Sequence, residues 1–190
     1  HRLGRFTSGL ILCARSKKSR AKLSNFLNYD NSKAFNKIYR ALTIENSNVN
    51  LKEPMNIHSP IKQFNHPFLG KIWNAQQKRE DKVIESSASE KYSLESCTRI
   101  DLIEKREESN LLEVSIGTGR PHQIRIHLAS IGIPLLGDPL YKGSGIINEF
   151  ARPGQGGYFL HAYKLKNVPI NEKTCCLQAS LPKELRTGND

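Results

Sequence analysis

The run Gly117-Thr118-Gly119-Arg120-Pro121 constrains this chain most, because it separates two apolar segments of different period. Before it, Leu112, Val114 and Ile116 alternate with other residues and face one way, the two-residue period of a strand. After it, Ile124, Leu128 and Ile131 recur at helical spacing and predict a helix with a buried stripe. Pro121 suits the first turn of that helix, and Gly132 suits its C-terminal stop. A strand must therefore end abruptly and give way to a helix at this point.

The remaining segments are read against that junction. Residues 36–45 alternate, with Ile38, Leu42 and Ile44 on one face and Tyr39, Ala41 and Thr43 on the other, which predicts a strand. Residues 98–103 and 111–116 bracket a polar turn and read as a hairpin. Tyr158, Leu160 and Leu165 lie in one further segment of strand composition, and residues 174–181 form another. The apolar run 8–14, behind Gly9, reads as a buried strand, and residues 16–28 read as a basic helix with Ser16 as its N-cap. Residues 55–61 suggest a small strand-and-turn excursion, and residues 135–141 a turn-rich crossing. The polar, serine-rich stretch 76–96 is expected to be a mobile loop. This order predicts one α+β domain over residues 1–190, with a mostly antiparallel mixed sheet and a few helices.

Charge narrows the choice of partner. The net charge is +11, and residues 1–40 hold ten Lys or Arg against a single acid, Asp30. An excess this one-sided points to a polyanion, RNA or DNA, held through phosphate contacts, with Arg2, Arg5, Arg15, Lys17, Lys18 and Arg20 as the candidate nucleic-acid contacts. No strongly amphipathic helix supports a membrane surface, and no apolar run reaches the roughly 18 residues a membrane span needs. The chain is expected to be a monomer. Cys13, Cys97, Cys175 and Cys176 form no C-x-x-C pair and read as reduced thiols, which implies a reducing compartment but not which one.

Several kinds of site are excluded by pattern. There is no Walker A loop, no G-x-S-x-G elbow and no zinc-ligand spacing, since His122 and His127 lie five residues apart and do not share a helix face.

What remains is a set of segments in a particular order. His1-Arg2-Leu3-Gly4-Arg5-Phe6-Thr7-Ser8-Gly9-Leu10 resembles the H-R-L-D-x-x-T-S-G-L segment of RluA-type RNA pseudouridine synthases. Lys37-Ile38-Tyr39-Arg40-Ala41 is similar to their K-x-Y-x-A strand, and residues 118–128, TGRPHQIRIHL, to their T-G-R-x-H-Q-I-R-x-H-L block. Leu136-Gly137-Asp138-Pro139-Leu140-Tyr141 and Leu160-His161-Ala162 follow in the same order. The resemblance implies a pseudouridine synthase catalytic domain whose strands upstream of the first motif lie outside this chain, leaving a sheet edge open. It implies isomerisation of uridine to pseudouridine in structured RNA, tRNA or rRNA, without cofactor or metal. Arg2 would fill the space a flipped uridine leaves, Tyr39 would stack on the uracil, and Arg125 would pair with the catalytic carboxylate. Taken alone, Arg125 would read as a surface residue of its helix, and His122 and His127 as hydrogen-bonded scaffold.

One residue departs from the pattern. Position 4 is Gly where the family places the catalytic Asp. A glycine can be neither nucleophile nor base. Three consequences are open: an RNA-binding relative without activity, a substitute carboxylate such as Asp138, or a group supplied by the full-length protein or a partner. Arg125 is expected to be left without its carboxylate, as a buried charge costing roughly 3–5 kcal/mol.

Overall fold

The computed structural model describes residues 2–28, 35–75 and 93–190. The alternating segment forms strand β2 (Lys37–Ile44), after β1 (Thr7–Gly9) and helix α1 (Lys17–Asn28). Then come β3 (Met55–His58), β4 (Ile61–His66), β5 (Gly70–Ala75), β6 (Cys97–Lys105), β7 (Ser109–Ile116), α2 (Gln123–Ser130), β8 (Leu160–Ile170) and β9 (Lys173–Gln178). Seven strands make one mixed sheet in the order β1-β8-β2-β7-β6-β3, with β9 paired to β8. Among the described residues only the β1–β8 pairing is parallel. The fold is α+β with a mostly antiparallel sheet, as the residue pattern predicts.

Strand β2 is paired on both edges, with β7 and β8, and residues on both of its faces are buried by the layers that pack over the sheet. Ala41 and Tyr39 pack with Leu112, Val114, Leu160, Ile124 and Leu128 in the main core beneath α2. Ile38 and Leu42 face the opposite side and meet Leu181 and Leu185 of the C-terminal segment. The β6–β7 hairpin forms where expected, and Ser16 caps α1, its Oγ accepting the Ser19 amide at 3.1 Å.

Two expectations need correction. Residues 10–14 are not a buried strand. Thr7–Gly9 pairs with β8 along the edge of the sheet, the Leu10 amide adds one bond to the Ala162 carbonyl at 2.9 Å, and beyond it Ile11 is 52% exposed. Helix α2 is buried on all sides from Gln123 to Ala129 rather than along one stripe. The reason is the antiparallel hairpin β4–β5, which the irregular composition of residues 61–75 concealed. It covers the far side of α2, where Ile126 and Ala129 join Ile61, Ile72 and Tyr141 in a second core. The expected loop 76–96 lies mostly outside the described residues, and its end is ordered: Leu94 bridges Ile61, and Ser96 is buried.

The strand-to-helix junction is held by one side chain. Gln123 Oε1 accepts from Thr118 Oγ1 at 2.7 Å and from the Arg120 amide at 3.1 Å, while its Nε2 donates to the Cys97 carbonyl at 2.9 Å. His122, just before α2, takes the left-handed conformation at φ 54°, which costs a non-glycine residue on the order of 1 kcal/mol and swings its ring toward Tyr141.

Candidate active site

The sharp junction brings the N-terminus of α2 over the middle of the sheet, where a cleft of about 600 Å³ opens. Its walls come from distant parts of the chain: Arg2 and Gly4 from the first motif, Ser24 and Leu27 from α1, Tyr39 from β2, His122 and Arg125 from the junction and helix, and Tyr158 just before β8. Gly4, Tyr39 and Arg125 thus line one pocket despite their separation in sequence. Of the basic residues singled out by charge, Arg2 lines the cleft. Arg5, Arg15, Lys17, Lys18 and Arg20 lie outside it as exposed side chains before and along α1.

Tyr39 presents its ring to the cleft from a central strand. A register shift places Tyr39 opposite Ala162 and Ile38 opposite Lys164, leaving Tyr163 as the extra residue of a bulge. Burial pushes the Tyr39 phenol up to about 12, so it stays protonated at neutral pH.

Arg125 is not left unpaired. Its Nε donates to Asp138 Oδ2 at 2.7 Å and its Nη2 to Asp138 Oδ1 at 2.8 Å, a bidentate pair almost wholly out of solvent. The guanidinium also lies between two rings, 4.7 Å from the centroid of Tyr141 and 4.5 Å from that of Tyr158. Burial alone would lower the pKa of Arg125, but the hydrogen bonds and charge of Asp138 outweigh it and raise the value. The expectation of an orphaned charge is therefore wrong. The G-D-P turn supplies the carboxylate, and the same Asp138 Oδ1 accepts the Leu140 and Tyr141 amides at 2.9 and 3.1 Å. With both oxygens occupied and its side chain 1% exposed, Asp138 is no free carboxylate for the cleft.

The histidines are scaffold in this arrangement. Tyr141 donates its hydroxyl proton to the Trp73 carbonyl at 2.6 Å, so its oxygen accepts from His122 Nδ1 at 2.9 Å. Burial, with the neighbouring Arg125 charge, pulls His122 down to about 4. His127 is fully buried and bonds to Thr98 Oγ1 at 2.8 Å and to the Ser59 carbonyl at 3.0 Å. Burial brings its pKa to about 4 as well. Both rings are neutral at neutral pH.

Tyr158 and Tyr141 are site residues that single-residue reading missed. A tyrosine in a strand-like segment carries no signal of its own. Only the arginine it stacks on, 33 positions earlier, gives it a role. Among the described residues no group of three or more His, Cys, Asp or Glu could hold a metal ion, and no carboxylate lines the cleft. None of the four cysteines is bridged.

Residues 1–130 match the family model described as RNA pseudouridylate synthase. The chain belongs to that family. It is 40% identical over 98% of its length to an uncharacterized RNA pseudouridine synthase of Synechocystis, covering 58% of that protein. It is 31% identical to RNA pseudouridine synthase 5 of Arabidopsis thaliana, over 98% of this chain and 57% of the relative. The chain thus spans a little over half the length of these relatives. Its fold matches that of human RNA pseudouridylate synthase domain containing 1 with a TM-score of 0.64 at 20% identity, over 98% of this chain and 70% of the other.

Proposed function

We propose that the protein acts on uridine in structured RNA as a pseudouridine synthase, and that this chain supplies the pocket holding the flipped nucleotide. The observation that carries the reading is the convergence of Tyr39, Arg125 and position 4 on one cleft in a member of this family. The reaction breaks the bond from uracil N1 to the ribose, turns the base and rejoins it through C5, with no change of redox state. A uridine must first leave its stack, at a cost of a few kcal/mol. Arg2, exposed at the mouth, is placed to fill the space left behind, and its planar guanidinium suits stacking there. Tyr39 supplies the ring on which the flipped uracil rests, a contact worth roughly 1–3 kcal/mol. Exposed cations on α1 and the segment before it would hold the phosphates.

A second reading has a specific observation in its favour. Position 4 is glycine, and the described lining of the cleft holds no carboxylate, so this chain would bind the uridine without isomerising it unless the group comes from elsewhere. The deciding experiment is tritium release from RNA labelled at uridine C5, run with the full-length protein. Release above background is the expected result. RNA binding without release assigns the chain to the second reading, and no RNA binding removes both.

A further inference from the structure

The space that a side chain at position 4 would enter is already occupied. A Cβ on Gly4 would meet the Tyr158 hydroxyl oxygen at 2.6 Å and Thr7 Oγ1 at 3.2 Å. Real Cβ contacts do not come as close as the first of these. Gly4 lies outside the left-handed region, so its backbone does not call for glycine; the tyrosine does. The Thr7 amide donates to the Gly4 carbonyl at 2.9 Å, which fixes the turn that sets the two positions against each other.

Tyr158 cannot easily withdraw. Its ring meets Phe6 edge-on at 5.6 Å and 84°, it lies 4.5 Å from the Arg125 guanidinium, and the residue is 7% exposed. Its hydroxyl nonetheless reaches the cleft. Among the described residues its neighbour within bonding range is Thr7 Oγ1 at 3.4 Å, too long for a strong O–H···O bond. A phenolic hydroxyl with capacity to donate and to accept thus stands where the family's carboxylate would project, on the stacked arginine of the same site.

We propose that Gly4 and Tyr158 are a matched pair, and that the Tyr158 hydroxyl hydrogen-bonds the bound uridine from the place a position-4 side chain would otherwise take. The proposal rests on the cleft being a uridine site. Tyr158 then acts as a binding and specificity residue. The glycine is the condition for its position, since any larger residue would push the hydroxyl aside.

The test compares the affinities of the full-length protein, Tyr158→Phe, Gly4→Ala and the double variant for a stem-loop RNA with an all-uridine loop and for the same stem with an all-cytidine loop. Tyr158→Phe keeps the ring on Arg125 and removes the hydroxyl. It is expected to lower affinity for the uridine loop by about three- to tenfold, the worth of one neutral hydrogen bond, and to shrink the preference over cytidine. Gly4→Ala leaves the hydroxyl present but displaced, and is expected to cost about as much. In the Tyr158→Phe background the added methyl would face the ring carbon at 3.9 Å, an ordinary contact, and Thr7 Oγ1 at 3.2 Å, the end of a side chain that need give only a few tenths of an ångström, so Gly4→Ala should cost little more. Should Tyr158→Phe fold poorly, Gly4→Ala alone carries the test through the loss of uridine preference. Unchanged uridine affinity in either single variant, or additive losses in the double variant, overturns the proposal. Absence of RNA binding by the unaltered protein overturns the uridine-site reading itself and the proposal with it.

Discussion

Replacing Asp138 by Asn should lower the stability of the fold by about 3 kcal/mol. The change keeps the Oδ1 oxygen for the Leu140 and Tyr141 amides but turns an NH₂ group toward Arg125 Nε in place of the Oδ2 that it now bonds. Arg125, whose side chain is 9% exposed, then keeps one bond from Nη2 to a neutral amide oxygen and its two tyrosine rings, with no counter-charge. Removing one partner of a buried pair costs roughly 3–5 kcal/mol, and the rings, which remain, hold the value near the lower end. In a chain of this size each kcal/mol moves the melting temperature by about 2–4 °C, so a fall of about 6–12 °C is expected. Urea unfolding measures the free energy directly, with an unchanged slope as evidence that the denatured state is unaltered. The informative control is Arg125→Met in the Asp138→Asn background, which removes the stranded charge and should recover at least half of the loss. A loss under about 1 kcal/mol in the single variant would refute the assignment of Asp138 as the counter-charge. No recovery in the double variant would place the cost in the turn rather than in the ion pair.

Other outcomes follow from the same contacts. His127, about 4 in the fold against about 6.5 unfolded, binds its proton later than the unfolded chain does. Its stabilising effect is therefore full above about pH 6.5 and is lost as the pH falls toward 4, by up to about 3 kcal/mol, and urea unfolding of His127→Gln should show a flatter profile across that window. Charge-neutral replacement of Arg15, Lys17, Lys18 and Arg20, all exposed, should weaken RNA binding and reduce the slope of log affinity against log salt by about 3; an unchanged slope would mean that these cations only face solvent. Gly4→Asp combined with Tyr158→Phe should raise or create tritium release more than Gly4→Asp alone, because the hydroxyl at 2.6 Å from the new Cβ is gone. Equal release by the two would show that the tyrosine does not obstruct a carboxylate there.

What sequence revealed and concealed divides along physical lines. Strand β2, the β6–β7 hairpin and the junction into α2 were legible because each has one period and clear punctuation, Gly117 to Pro121 above all. The β4–β5 hairpin was not, because Lys62, Gln63, Asn65, Lys71 and Asn74 break any alternation, and its burial rests on a few residues such as Ile61 and Ile72. Missing it also hid the burial of Ile126 and His127 in α2, since a helix covered on two sides shows no clean stripe. Residues 10–14 misled in the other direction: they are apolar, but Ile11, Cys13 and Ala14 are exposed and Leu10 and Leu12 only half-buried. In the site, Tyr39 and Arg125 were found through the blocks around them. The Arg125–Asp138 pair was hidden because a G-D-P turn explains its aspartate fully without a distant arginine.

That pair changes what the glycine means. Were a position-4 carboxylate the sole partner of Arg125, its loss would strand a buried charge and loosen every group stacked on it. Here Asp138 neutralises the arginine from behind, Tyr141 and Tyr158 hold its two faces, and His122 braces Tyr141. Each of these contacts is made without a side chain at position 4. Position 4 contributes space, and Tyr158 fills it. The groups that would receive a uridine therefore support one another from α2, the G-D-P turn and the segment before β8, with Phe6 of the first motif packed on Tyr158, while position 4 itself adds no side chain to that network. Recognition and reaction are separable in such a scaffold. A single substitution at position 4, with its neighbour trimmed, is then a sufficient perturbation to ask which of the two this protein performs.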